Sequence, residues 1–386
     1  MNNVKERLIK GFKNNFKKDP QFFFDCGGRI EIIGNHTDHN HGLCMAATCS
    51  LVISAAVSKR DDNIIEMISE GFKPCTVDLS NLKSVPTEKG TSNGLMRGVA
   101  EYLVNKGYKV GGLTFYSVST VFPGAGVSSS AAFELLIAEL FNALYNEGKI
   151  DSMTMCKAGQ YGENEHFGKK SGLLDQIGVG YGNMSFINFN DIEHPIVKQV
   201  KFPFDDLHFV IVNTGGSHAE LSDLYSAIPM DMKNAARKCG HEFLAEGTME
   251  EIEKNKDKLS DIEYSRAKHF YSENERVLKA VEALENKDEK SFLAVINGSR
   301  ESSTKDLKNM MVGNQYEGSP LEACDLAVKA MNNEGAVRIN GGGFAGSIIC
   351  IVPTKRLDSF TKTLGDKYGS NNVQEVSVRP YGPKEF

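Results

Sequence analysis

The sequence predicts a chain of two domains in which helices and strands are mixed along the whole length. Its 386 residues, 40% of them hydrophobic, exceed what one core of ordinary size holds, so length favours two domains. Short stretches rich in β-branched and aromatic residues alternate with stretches of helical periodicity. No repeat, low-complexity tract or long Gly/Ser linker interrupts that alternation.

Residues 1–20 read as an amphipathic helix, because Val4, Leu8, Phe12 and Phe16 recur four apart among lysines. The segment lacks the continuous apolar run of a secretory signal. A packed first helix with a solvated lysine face is expected, rather than a helix lying on a membrane. Strands are expected at 22–33, 51–57, 113–118, 184–189, 208–213 and 348–352. Helices are expected at 95–105, 130–145, 153–168, 265–284 and 321–332. The charged segment 246–261 reads as a solvated helical hairpin. The polar turn 188–194 is the expected boundary, dividing the chain into 1–190 and 191–386.

Composition excludes several classes of function. A net charge of −6 and an isoelectric point near 5.9 leave no basic stripe for nucleic acid. The eight cysteines are scattered without a CxxC pair, which disfavours a disulfide framework or a zinc ribbon. No stretch approaches the roughly 18 apolar residues of a spanning helix. A cytoplasmic monomer acting on small molecules, without nucleic acid or membrane partners, is the expectation.

The strongest single feature is the loop 121–133, VFPGAGVSSSAAF, between an expected strand and an expected helix. Gly124 and Gly126 let the backbone approach a ligand closely. Ser128, Ser129 and Ser130 stand at the helix start, where unpaired N–H groups and the helix dipole favour an anion such as phosphate. A tight turn with a serine N-cap is the plainer reading. Three serines after GxG, followed by Ala131 and Ala132, make the phosphate cradle the stronger one. The loop is not GxxxxGK[ST], and it breaks GxGxxG because position 129 is serine.

That loop resembles the second motif of the GHMP kinases, and two further stretches complete the set. Residues 28–42, GRIEIIGNHTDHNHG, resemble the galactokinase signature, and residues 338–347, RINGGGFAGS, the glycine-rich third motif. Their order and separation span essentially the whole chain. The resemblance implies a two-domain α+β GHMP kinase fold. Its N-terminal domain would be ribosomal-protein-S5-like, its C-terminal domain ferredoxin-like, and its active site the cleft between them. It further implies an ATP-dependent sugar 1-kinase with galactose as acceptor and Mg²⁺ as cofactor. ATP would be held along Pro123, Gly124, Ala125, Gly126, Val127, Ser128, Ser129, Ser130 and Ala131.

Phosphoryl transfer needs a group to orient or deprotonate the acceptor, and positive charge on the moving phosphoryl. Asp175, in SGLLDQ at 171–176, reads from the sequence about equally as a catalytic carboxylate or an N-cap. The resemblance assigns it the catalytic role. Arg29 alone reads as a structural ion pair; the resemblance places it beside Asp175. Glu163 and Ser130 resemble the positions that hold Mg²⁺, although Glu163 alone could be a solvated helix residue.

His36, Asp38, His39 and His41 admit a zinc reading. Alternation along an extended strand would send His36 and Asp38 to one face and His39 and His41 to the other. The resemblance instead makes His36 and Asp38 sugar-binding residues, with Gly172 and Tyr225 as further contacts. Asn35 stands where the family has a glutamate that accepts from the sugar 6-hydroxyl, and His39 where it has tyrosine. Ile228 and Pro229 replace an arginine pair, Ser299-Arg300 a Ser-His pair, and Phe344-Ala345-Gly346 a Phe-Gly-Gly run. An amide at 35 can donate to a C6 carboxylate, so a galacturonate or other modified-galactose kinase is the alternative substrate reading. A non-catalytic sugar sensor is the alternative to an enzyme.

Overall fold

A computed structural model of the chain describes residues 2–121, 126–215 and 221–386. Helix α1 (Asn2–Phe16) buries Leu8 and Phe12 against Ala56, Tyr116 and Val118, as its four-residue periodicity requires. Strands β1 (Phe22–Ile33) and β2 (Leu43–Lys59) then pair antiparallel over most of their length. Next come β3 (Ile64–Ser69), β4 (Cys75–Asp78), α2 (Ser92–Asn105) and β5 (Leu113–Ser119). Helices α3 (Ser129–Tyr145), α4 (Ser152–Tyr161) and α5 (Leu174–Gly180) follow. The hairpin β6 (Met184–Asn188) and β7 (Ile196–Val200) comes after them.

The remaining elements are β8 (Leu207–Asn213), α6 (Ser222–Lys238), α7 (Met249–Lys254), α8 (Asp261–Glu285), α9 (Glu289–Ser302) and α10 (Pro320–Ala330). Strands β9 (Ala336–Asn340) and β10 (Ser347–Pro353), helix α11 (Leu357–Tyr368) and strands β11 (Val373–Val376) and β12 (Lys384–Glu385) complete the chain.

Two sheets result. The larger runs β12-β1-β2-β5-β3-β4, with β6 added to β2 and β7 to β6. Long β2 serves two partners, β6 at its start and β5 at its end. Only β3 and β5 run parallel; every other named pair is antiparallel. The smaller sheet runs β11-β8-β10-β9. The expected division near residue 190 falls in the β6–β7 loop, and β7 and β12 both join the larger sheet. One core packs Ile30, Ile32 and Met45 of the larger sheet with Phe209 and Ile349 of the smaller one, over Val277 of α8 and Phe292 of α9. This shared core seats β1 against the C-terminal half. Among the described residues no helix is long and apolar enough to cross a membrane.

Three local expectations differ from the structure. The helix expected at 153–168 is α-helical only to Tyr161 and continues as a π-helical turn, Gly162–Phe167, ended by Gly168 at φ 89°. Segment 246–261 holds the short helix α7 and a 3₁₀ turn, Lys256–Lys258, not a hairpin. There Leu259 is extended and Ser260 forms a capping box with Glu263, which starts α8. Residues 36–41 are not an extended strand. His36 and His41 take positive φ and Asp38–Asn40 form a 3₁₀ turn, so strand alternation does not apply there.

Candidate active site

Arg29, within β1, organises the centre of the site. Its Nε donates to Asp175 Oδ1 at 2.8 Å, and Nη2 pairs with the same oxygen. Nη2 also donates to Ser128 Oγ at 2.7 Å, while Nη1 reaches the Gly126 carbonyl at 3.2 Å. Ser128 in turn donates to Asp175 Oδ2 at 2.5 Å. Strand β1 comes this close to the loop because position 28 is glycine: a Cβ there would stand 2.6 Å from the Val127 carbonyl oxygen. Gly178 leaves similar room on α5, where a Cβ would lie 2.4 Å from Arg29 Cγ.

Asp175 sits in the first turn of α5 and does not cap it. Burial acts to raise its carboxyl, but the Arg29 charge and the hydrogen bonds from Ser128 and Arg29 outweigh this, leaving it below the ordinary carboxylate value. Asp175 is therefore ionised at neutral pH and suited to accept a hydrogen bond from an acceptor hydroxyl.

Ser128, just before α3, has a left-handed backbone (φ 52°) and makes no side-chain cap. Gly126 is also left-handed, and a Cβ there would stand 2.2 Å from Ser347 Oγ. Strain at a non-glycine residue such as Ser128 is typical of functional loops. Of the residues expected to hold ATP, Gly126, Val127, Ser128, Ser129, Ser130 and Ala131 are described. Pro123, Gly124 and Ala125 lie outside the described residues.

Beside this centre, Glu163 lies in the π turn and is 1% exposed. Its Oε1 accepts from Ser130 Oγ at 3.1 Å and Lys169 Nζ at 2.9 Å. Its Oε2 accepts from Ser171 Oγ at 2.6 Å and Gln176 Nε2 at 3.2 Å. Burial first, and then the Glu163 charge, push the carboxyl of neighbouring Glu134 well above its ordinary range. One carboxylate and one hydroxyl, with the Lys169 ammonium already drawn to them, suit a hard divalent ion that keeps water and phosphate ligands.

Arg29 also lines a cavity of about 160 Å³, together with Lys169 and Ser171. Every residue expected to touch the sugar lines it: Asn35, His36, Asp38, Gly172, Asp175 and Tyr225. His36 Nε2 lies 2.8 Å from the Gly342 carbonyl, which assigns the proton to Nε2. Its buried Nδ1 has no partner among the described residues. Burial, then the His39 charge, pull His36 down to about 3, so the ring is a neutral acceptor. Tyr225 packs 5.1 Å from the His36 ring and against Gly342. His41 turns elsewhere and stacks on Phe243 at 3.8 Å. The four side chains of the zinc reading do not converge, and no group of three or more His, Cys, Asp or Glu among the described residues could hold a metal.

Helix α8 fixes the turn that carries these residues. Glu273 Oε1 accepts from the backbone N–H groups of Gly34 and Asn35 at 3.1 and 3.2 Å, and from Ser299 Oγ at 2.5 Å. His269 Nε2 donates to the Asn35 carbonyl at 2.9 Å, and Asn274 Oδ1 accepts from Leu43 N at 2.8 Å. The sequence reading missed Glu273, His269 and Asn309, which no local pattern marks. It also missed Lys169 and Ser171, and Glu31, which strand alternation from Arg29 could have found.

The fold, with an ionised carboxylate beside a serine-rich helix start, is that of a phosphotransferase of the GHMP kinase class. Residues 94–183 match the GHMP kinases N terminal domain. Among solved structures, Lactococcus lactis galactokinase complexed with galactose shares the fold at a TM-score of 0.85. It has 24% identity and covers 99% of this chain and 100% of its own. The L. major mevalonate kinase in complex with R-mevalonate matches at 0.64, with 13% identity over 94% of this chain and 97% of its own. Residues 10–59 match the galactokinase galactose-binding signature. Galactokinase of Fusobacterium nucleatum is 31% identical over 96% of each chain. That of Clostridium tetani is 30% identical over 95% of this chain and 92% of its own. The chain belongs to the galactokinase family.

Proposed function

We propose that this chain transfers the γ-phosphate of ATP to the anomeric hydroxyl of galactose, giving α-D-galactose 1-phosphate. The observation that carries the reading is the Arg29–Asp175–Ser128 cluster, shared between the polar cavity and the start of α3. Galactose lies in the cavity with its 1-hydroxyl on Asp175, and His36 and Asp38 meet its ring hydroxyls. Asp175, already ionised, holds the attacking oxygen in line and takes its proton as the bond to the γ-phosphorus forms and the bond from that phosphorus to the β–γ bridging oxygen breaks, releasing ADP. Arg29 offsets charge on the moving phosphoryl group, whose transition state is stabilised mainly by positioning and electrostatics. ATP phosphates lie along 123–131, against the N–H groups at the start of α3. Ser130 and Glu163 would hold Mg²⁺, which would supply charge neutralisation for the phosphates. The reading includes a cytoplasmic monomer without nucleic acid or membrane partners, consistent with the net charge of −6.

The test is ATP-coupled turnover on galactose, galacturonate, N-acetylgalactosamine and glucose, compared by kcat/KM, with and without Mg²⁺. Galactose should lead and turnover should stop without the divalent ion. Turnover independent of added metal, or a lead for another sugar, would refute the corresponding part of the reading.

A further inference from the structure

We infer that Glu31 reads the edge of the sugar opposite the reacting hydroxyl, accepting a hydrogen bond there and rejecting substrates that carry a carboxylate at that edge. The inference rests on the galactose kinase reading and sharpens it. Arg29 and Glu31 are two residues apart on β1, share one face of the strand, and both line the cavity. Arg29 holds Asp175 at the reacting end. Glu31 stands about 7 Å further along the strand, roughly the width of a pyranose ring.

The carboxylate is half occupied. Oε1 accepts from Arg338 Nη2 at 2.9 Å and Asn35 Nδ2 at 3.0 Å. Oε2 accepts from no described residue, yet it is not sealed from the cavity that Glu31 lines. An oxygen so placed, on a residue only 4% exposed, leaves an incoming donor as its natural partner. Asn35 cannot supply the equivalent contact. Its Nδ2 protons go to Glu31 and to the Gly341 carbonyl at 2.8 Å, and its Oδ1 accepts from Asn309 Nδ2 at 2.7 Å. Asn35 is thus a positioning residue that aims Glu31. Arg338 is fully buried and already committed to the Glu31 carbonyl and carboxylate. A substrate carboxylate would therefore meet a like charge whose own cation, Arg338, is already committed.

The experiment uses the full chain, Glu31→Gln, and an exchange variant combining Glu31→Asn with Asn35→Glu. The exchange keeps an amide and a carboxylate in contact, so it guards against a folding defect in the single variant. Sugar binding by calorimetry and ATP-coupled turnover are measured separately on D-galactose, 4-deoxy- and 6-deoxy-D-galactose and D-galacturonate. Glu31→Gln should lose roughly tenfold or more in galactose Kd and KM, with kcat little changed. It should lose far less on whichever deoxy sugar lacks the recognised hydroxyl, and its discrimination against galacturonate should narrow. The exchange variant should regain galactose preference. Equal losses on all the sugars, or an unchanged galactose-to-galacturonate ratio, overturn the inference. Wild-type protein that binds galactose without phosphorylating it sinks the kinase reading instead, and the role of Glu31 is then read from Kd.

Discussion

At the scale of single residues, the site works by matching charge states to tasks. His36 stays neutral, because burial and the His39 charge hold it near 3, so its open Nδ1 is able to accept a hydrogen bond without adding charge. Asp175 is held ionised by Arg29 and Ser128 despite its burial. A carboxylate with a lowered pKa is a weak base at neutral pH, so in the proposed transfer Asp175 would mainly orient the acceptor until the proton is lost late. Replacing Asp175 with Asn should cut kcat by about 10²–10⁴-fold while ATP affinity, read by calorimetry, stays close to wild type. A second consequence concerns pH. Because the folded-state value lies below the ordinary carboxylate value of about 3.9, Asp175 protonates only in stronger acid. The acid limb it contributes to kcat should therefore fall below about pH 4, and a pH–rate profile with an Asp175-dependent limb near neutrality would contradict the assignment.

Among the elements, α8 holds the turn that the proposal assigns to the sugar. Its Glu273 is fully buried and lowered to about 2. Burial opposes the ionised form, but His269, Arg276, Arg338 and the Ser299 hydroxyl together outweigh it. A depressed carboxyl stabilises the fold fully above its unfolded value of about 4.3. That stabilisation is lost as pH falls through the folded value near 2. Glu273→Gln should therefore lower Tm at pH 7 and raise KM for the sugar severalfold, because the Gly34 and Asn35 N–H groups lose their ionised acceptor. The gap in Tm between variant and wild type should shrink between pH 4 and pH 3. A gap independent of pH would mean that Glu273 acts through packing alone.

Across the whole molecule, the cavity floor joins residues from both ends of the chain. Arg338 on β9 is fully buried and donates to Glu31 on β1 at both the backbone carbonyl and the carboxylate. Asn340 on the same strand accepts from Glu31 N at 3.0 Å and donates to the Gly126 carbonyl at 3.1 Å. The glycine-rich third motif thus lines the cavity through Gly341 and Gly342 and braces the backbone at Gly126 at once. Removing one partner of a buried pair leaves the other uncompensated, so Arg338→Met should cost about 3–5 kcal/mol in denaturant unfolding. Adding Glu31→Gln to Arg338→Met should recover part of that loss, because no buried charge is then left unpaired. A strictly additive double variant would show that the two residues are not coupled.

Much of the candidate site's layout was legible in the sequence because its residues stand in short contiguous motifs. GxG followed by three serines dictates a loop and a helix start, and SGLLDQ and the 28–42 signature set their residues within a few positions of each other. Helices such as α1 and α3 and strand β1 were equally legible, since apolar periodicity is a local property. The π turn that carries Glu163 was not, because a helix and its π-helical continuation share one apolar pattern. Strand pairing and the roles of Glu273, His269 and Arg338 were not legible either. Asn35 shows the limit most clearly. Its identity raised the question of a sugar carboxylate, yet whether its amide is free depends on Gly341 and Asn309, 306 and 274 residues away. A residue type fixes which hydrogen bonds a side chain can make. Only the tertiary structure, by bringing distant partners to it, decides which are already spent and that the carboxylate oxygen left open to the cavity belongs to Glu31.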